Sequence, residues 1–143
     1  MNNTIHSSDD FEGMRKAGNL AASTLDLLVE KVKPGVSTEE LDNIAFDYIV
    51  RHGGLIAPLF YKGYPKSICT SINHVICHGI PSSRILENGD IVNIDVTVIV
   101  DGWHGDTSRM FPVGKINAKA QKLIDCTFHA MHEGINAAQP DAT

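Results

Sequence analysis

The chain has 143 residues, close to one average domain, with 43% apolar and 20% charged residues, ordinary globular values that exclude disordered, collagen-like and coiled-coil classes. Twelve lysines and arginines against seventeen aspartates and glutamates leave a net charge of −5, a balance that argues against non-specific nucleic-acid binding. Three cysteines are too few for a disulfide scaffold and point to a reduced, cytoplasmic compartment. The opening MNNTIHSSDD lacks the basic and apolar segments of a signal peptide, and no stretch approaches the ~18–20 apolar residues of a membrane span.

A first helix is expected from Ser8, a capping residue, with Asp9, Asp10 and Glu12 placing negative charge at its positive end. Leu20, Ala21, Leu25, Leu28 and Val32 form its apolar stripe, and Lys33-Pro34-Gly35 stops it. Ser37 and Glu40 make a capping box for a second helix with Leu41, Ile44, Ala45, Tyr48 and Ile49 on one face, ended by Gly53-Gly54. These stripes read as core.

Residues 55–66 read as a loop broken by Pro58, Gly63 and Pro65. Its aromatics Phe60, Tyr61 and Tyr64 are either a satellite core or a pocket wall, and the residues themselves leave both open. From Ser67 the apolar period changes to two, and residues 67–78 suggest one or two strands, with His74 and His78 on one face. Turns follow at Gly79-Ile80-Pro81-Ser82 and Asn88-Gly89. Residues 90–100 form the strongest strand, Asp101-Gly102 is a two-residue hairpin loop, and a return strand runs from Trp103 to about Phe111. Asn117 caps a third helix to about Glu133, with Leu123, Ile124 and Met131 inward. Gly134-Ile135-Asn136 then echoes Gly35-Val36-Ser37, as if one helix closed and another opened, although Pro140 spoils the repeat.

Parity carries the hairpin further. With a two-residue loop, Val100 faces Trp103, Asp95 faces Ser108 and Thr97 faces Asp106. Asp95 and Asp106 then share a face as diagonal neighbours, with Cα atoms roughly 7–8 Å apart. The opposite face of the first strand is Val92, Ile94, Val96, Val98 and Val100, a core face. Two such carboxylates need a cation or a shared proton, or else they are separate groups on a solvated face. An all-oxygen pair suits Mn, Mg or Ca, and Co or Fe with added imidazole. Cys77 alternates away from His78, so the pair offers no shared thiol site. The cysteines read as buried packing residues, and no Cys-x2-Cys, P-loop or Gly-x-Ser-x-Gly motif is present.

Residues 73–111 resemble the type I methionine aminopeptidases of the short bacterial form. The resemblance is carried by Cys77-His78-Gly79-Ile80-Pro81, by Gly89-Asp90-Ile91-Val92-Asn93-Ile94-Asp95-Val96 and by His104-Gly105-Asp106-Thr107. Upstream, Met14-Arg15-Lys16-Ala17-Gly18, Lys33-Pro34-Gly35-Val36-Ser37-Thr38 and Gly63-Tyr64-Pro65-Lys66-Ser67 extend it over nearly the whole chain. It implies an α+β fold, the N-terminal half of a pita-bread fold, with an antiparallel sheet covered by helices. It also implies metal-assisted hydrolysis after an N-terminal methionine, on peptides of nascent proteins, with no nucleic-acid or membrane partner.

By the same resemblance Asp95 and Asp106 are metal ligands in a site for two divalent ions (Co, Mn, Fe or Zn). His78 is the catalytic histidine that contacts substrate near the scissile bond, and Tyr61, Tyr64 and Cys69 line the methionine pocket. Family members are nearly twice as long, and their second half supplies a histidine and two glutamates to the metal site and a second substrate-contacting histidine. Residues 1–143 are therefore expected to be one incomplete metallopeptidase catalytic domain, inactive alone and inclined to self-associate through uncovered apolar surface. The alternatives are a non-catalytic half that binds peptides or a partner, and an Xaa-Pro aminopeptidase relative.

Overall fold

A computed structural model describes residues 5–142; residues 1–4, part of the stretch read as lacking a signal peptide, and residue 143 lie outside the described residues. Three helices, α1 (Ser8–Leu28), α2 (Thr38–Arg51) and α3 (Ala118–Ala137), accompany strands β1 (Leu55–Ile56), β2 (Cys69–Ile72), β3 (Ile91–Val100) and β4 (Trp103–Pro112).

The cap of α1 is Ser7, one residue before the expected Ser8. Its hydroxyl accepts the Asp10 N–H at 3.4 Å while the Asp10 carboxylate accepts the Ser7 N–H at 2.7 Å, a reciprocal box that fixes the start. The helix closes at Leu28 rather than at Lys33, and Val32 reaches the core from the turn beyond it. Ser37 caps α2 as expected, accepting the Glu40 N–H at 3.1 Å.

β3 is the centre of an antiparallel sheet. β1 and β2 pair along one of its edges and β4 along the other. The two-residue hairpin and its register are as parity requires: Val100 pairs with Trp103, Asp95 with Ser108 and Thr97 with Asp106. Asp101 and Gly102 both take positive φ, 50° and 85°, the geometry of a tight turn matched to strand twist. Val92, Ile94, Val96 and Val98 are fully buried beneath the helices, in a core that also includes Leu25, Leu28, Leu41, Ala45, Ile49 and Ile68. The fit of α1 on β4 is so close that a Cβ on Gly105 would stand 2.2 Å from the Ala17 carbonyl oxygen.

Four expectations are corrected. The 55–66 loop contains β1 and a short 3-10 turn at Tyr61–Gly63. The strand from Ser67 ends at Ile72, so His74 and His78 lie in a loop and not on one strand face. The cause is Asn73, which takes φ 52°, receives the Ile91 N–H on its side-chain oxygen at 3.0 Å and donates to Asp90 at 2.8 Å. Asparagine tolerates this left-handed geometry and bonds the backbone in place of a continued ladder. Third, α3 runs through Gly134-Ile135-Asn136 to Ala137, so that echo does not close a helix. Leu123 and Met131 face solvent, because none of its residues is buried against the described elements. A helical glycine costs ~1 kcal/mol, too little to end a helix without a left-handed cap. Last, of the three cysteines only Cys69 is buried; Cys77 and Cys126 are exposed, on a loop and on the unpacked α3.

Candidate metal and substrate groove

The strand that sends its β-branched side into the core turns Asn93, Asp95 and Thr97 to the other side. The registers place Cys69 across from Asp95 on one flank and Asp106 across from Thr97 on the other. Cys69, Asp95, Thr97, Asp106 and His104 consequently share one sheet face, the floor of a groove of about 830 Å³. Pro58, Tyr61, Tyr64, His78 and Ile80 also line the groove. The structure thus gathers around one groove all six residues singled out in sequence: Asp95, Asp106, His78, Tyr61, Tyr64 and Cys69.

The lining is held by named bonds. The Tyr64 hydroxyl lies 3.0 Å from the Ile68 carbonyl and 3.2 Å from the Gly79 carbonyl, sharing its proton between them. The Gly79 carbonyl also accepts the Thr70 N–H at 2.7 Å, and the Gly79 N–H donates to Ser71 Oγ at 3.1 Å. A Cβ at Gly79 would meet the Thr70 oxygen at 2.2 Å, so only glycine allows this approach. His78, just before it, adopts φ 55°, a backbone geometry that non-glycine residues seldom hold without surrounding restraint. Tyr61 sits at the exposed rim, between Phe60 at φ 66° and Lys62 at φ 48°.

The electrostatics mark the floor as short of positive charge. Burial pushes the Asp95 carboxyl above its usual range, the Asp106 carboxylate pushes it further, and His78 partly offsets both. Burial also raises the Cys69 thiol, with the Tyr64 hydroxyl working against that rise. The Tyr64 phenol is raised as well, chiefly by burial and then by the neighbouring Cys69 thiol. Cys69 is therefore a neutral floor group at neutral pH. Two carboxylates with their charges unbalanced fit a divalent cation as two of its oxygen ligands. Among the described residues no third His, Cys, Asp or Glu joins them in a cluster that would enclose an ion.

Sequence reasoning passed over two floor residues. Thr97 and His104 line the groove, and both follow from the same parity, Thr97 two residues after Asp95 and His104 two before Asp106.

A carboxylate pair on adjacent strands, facing a pocket with aromatic and thiol side chains, is a candidate site for a divalent cation beside a substrate groove. Residues 12–143 match the metallopeptidase family M24, and the chain belongs to that family. The family's name implies divalent metal chemistry. Over 138 residues the chain is 56% identical to the methionine aminopeptidase of Rickettsia prowazekii, covering 96% of this chain and 53% of that protein. Over 139 residues it is 51% identical to the methionine aminopeptidase of Escherichia coli strain K12, covering 96% and 53%. The crystal structure of the Rickettsia prowazekii enzyme superposes with a TM-score of 0.91 at 57% identity, over 92% of this chain and 53% of that one. The resemblance read from the motifs is borne out, and the fold is the α+β half of a pita-bread architecture. The chain spans about half the length of the curated relatives it matches.

Proposed function

We propose that this chain carries the N-terminal part of a metal-dependent aminopeptidase that removes methionine from the N-termini of nascent proteins, residues 1–143 forming one incomplete catalytic domain. The observation that supports this reading is the sharing of one groove by Asp95, Asp106, His78, Tyr61, Tyr64 and Cys69. In it, Asp95 and Asp106 would hold divalent metal, two ions per complete site drawn from Co, Mn, Fe or Zn. Bound metal supplies Lewis-acid activation of a water and of the scissile carbonyl. Tyr64 and Cys69 give the methionine side chain an apolar, polarisable wall, and Tyr61 covers it from the rim. His78 donates or accepts a hydrogen bond beside the scissile amide and so orients the substrate. The setting is cytoplasmic, consistent with three free thiols. No described helix is long and apolar enough to cross a membrane.

Two carboxylates are half of a closed ligand set, so the 143 residues alone are expected to hydrolyse little or nothing, and the bare apolar stripe of α3 favours self-association. The test is hydrolysis of a Met-Ala-Ser peptide by the purified chain with Mn or Co, with Asp106→Ala as control. Turnover that Asp106→Ala abolishes would overturn the expected inactivity and support the chemistry. Peptide binding without turnover fits an incomplete site. Absence of both from folded protein would overturn the reading of the groove as a substrate pocket.

A further inference from the structure

Asp42 stands on α2, outside the groove, and nothing in the proposed reaction uses it. It is only 4% exposed, on the helix face that carries Leu41, Ala45 and Ile49 into the core. Its Oδ1 accepts two consecutive backbone N–H groups, from Ser67 at 2.8 Å and Ile68 at 3.0 Å. Burial pushes its carboxyl up, and those two amides and the Lys66 ammonium work against that rise. Lys66 is itself tied to Glu39 of α2 at 2.7 Å, so the helix grips residues 66–68 from outside and inside.

The gripped segment leads straight into the groove lining. The Ile68 carbonyl receives the Tyr64 hydroxyl, which also reaches the Gly79 carbonyl beside His78. Cys69 follows Ile68 and pairs with Asp95. A continuous path of hydrogen bonds and single peptide units therefore joins a buried helix carboxylate to Tyr64, Cys69 and the His78–Gly79 turn of the groove. Charge-assisted bonds to backbone amides are the stronger kind, and buried amides that lose their acceptor are costly to leave unmade.

We propose that Asp42 is a positioning residue for the groove: it fixes the 67–68 backbone, and through Tyr64 it fixes Cys69 and the His78–Gly79 turn. That role matters for catalysis only if the groove is the substrate pocket proposed above, whereas the path of bonds is independent of that reading.

The test needs no turnover. Cys69, Cys77 and Cys126 are alkylated with N-ethylmaleimide in the 143-residue chain and followed separately by peptide mass spectrometry, with exposed Cys126 on α3 as the internal reference. Asp42→Ala is expected to speed Cys69 alkylation about tenfold, and Asp42→Asn, which keeps an acceptor oxygen without the charge, by roughly threefold. Amide exchange gives the direction. Asp42→Asn should speed exchange at Ser67, Ile68 and Thr70, whereas Tyr64→Phe should speed it at Thr70 and leave Ser67 and Ile68 slow. If Asp42→Ala does not fold, Asp42→Asn and Tyr64→Phe carry the comparison. Wild-type Cys69 and Thr70 kinetics in Asp42→Asn would overturn the role. So would equal acceleration at Cys69 and Cys126 and along the β3–β4 hairpin, the mark of a general loss of stability. Failure of Met-Ala-Ser to protect Cys69 in the wild-type chain would count against the proposed function and not against the positioning role.

Discussion

Gly79→Ala tests how the groove is held open. The new Cβ would stand 2.2 Å from the Thr70 carbonyl oxygen and 2.8 Å from its carbonyl carbon, both backbone atoms of β2 that no side-chain rotation can move away. Opening the closer contact to 3.0 Å, below which real Cβ contacts essentially never fall, moves the turn outward by about 0.8 Å. The Thr70 N–H to Gly79 carbonyl bond, now 2.7 Å, then lengthens to about 3.5 Å and is lost, and the 3.2 Å contact from Tyr64 goes with it. Two lost hydrogen bonds at ~1 kcal/mol each and residual overpacking give an expected destabilisation of about 2–4 kcal/mol. Urea denaturation measures the loss, and amide exchange at Thr70 reports whether the turn has parted from β2. A loss below about 0.5 kcal/mol, with the Thr70 amide still protected, would refute the claim that this glycine is required by close approach.

Replacing Asp106 by Asn removes the like charge beside Asp95, so the Asp95 carboxyl is expected to titrate at lower pH than in the parent chain, read by carboxyl carbon NMR. Asp95 is raised in the fold above the ordinary 3.8, so stability falls as pH rises from 3.8 through the folded-state value, and the penalty is complete above it. Asp106→Asn should accordingly be the more stable protein above that window and not below it; an unmoved Asp95 titration would contradict the pairing. Manganese should stabilise the parent chain by neutralising the pair, by about 1.4 kcal/mol at ten times its Kd, or roughly 4 °C in Tm. Calorimetry that finds the same rise in Asp106→Ala would show that the ion binds elsewhere.

The hairpin was legible residue by residue because its determinants are local. Asp101-Gly102 sets the loop length, loop length sets the register, and alternation then sorts Asp95 from Val96. The end of β2 was hidden because Asn73 is captured by Asp90 and Ile91, 17 and 18 residues further on, while His74 to His78 keep a strand-like alternation. The stripe of α3 was legible and its burial was not, since a stripe announces a partner without saying where it lies. Asp42 had left a signal: Thr38, Leu41, Asp42, Ala45 and Ile49 share helical spacing, and an acidic residue inside an apolar stripe marks a buried carboxylate in need of donors.

Why the carboxylate pair stays strained follows from the same alternation. Separating the Asp95 and Asp106 backbones would require β3 to twist or slip, and a one-residue slip would carry Val96 and Val98 out of the core and Asp95 into it. Gly105 locks the partner strand equally, because β4 lies against α1 with no room for a Cβ. Burial of four β-branched side chains on one face, at about 1.5–3 kcal/mol for each fully buried side chain, outweighs the repulsion between two partly solvated carboxylates on the other. With the backbones held, side-chain rotation eases the repulsion, and a proton at low pH or a cation at neutral pH cancels it. The core thereby keeps the two carboxylates facing one groove, where positive charge would lower their repulsion.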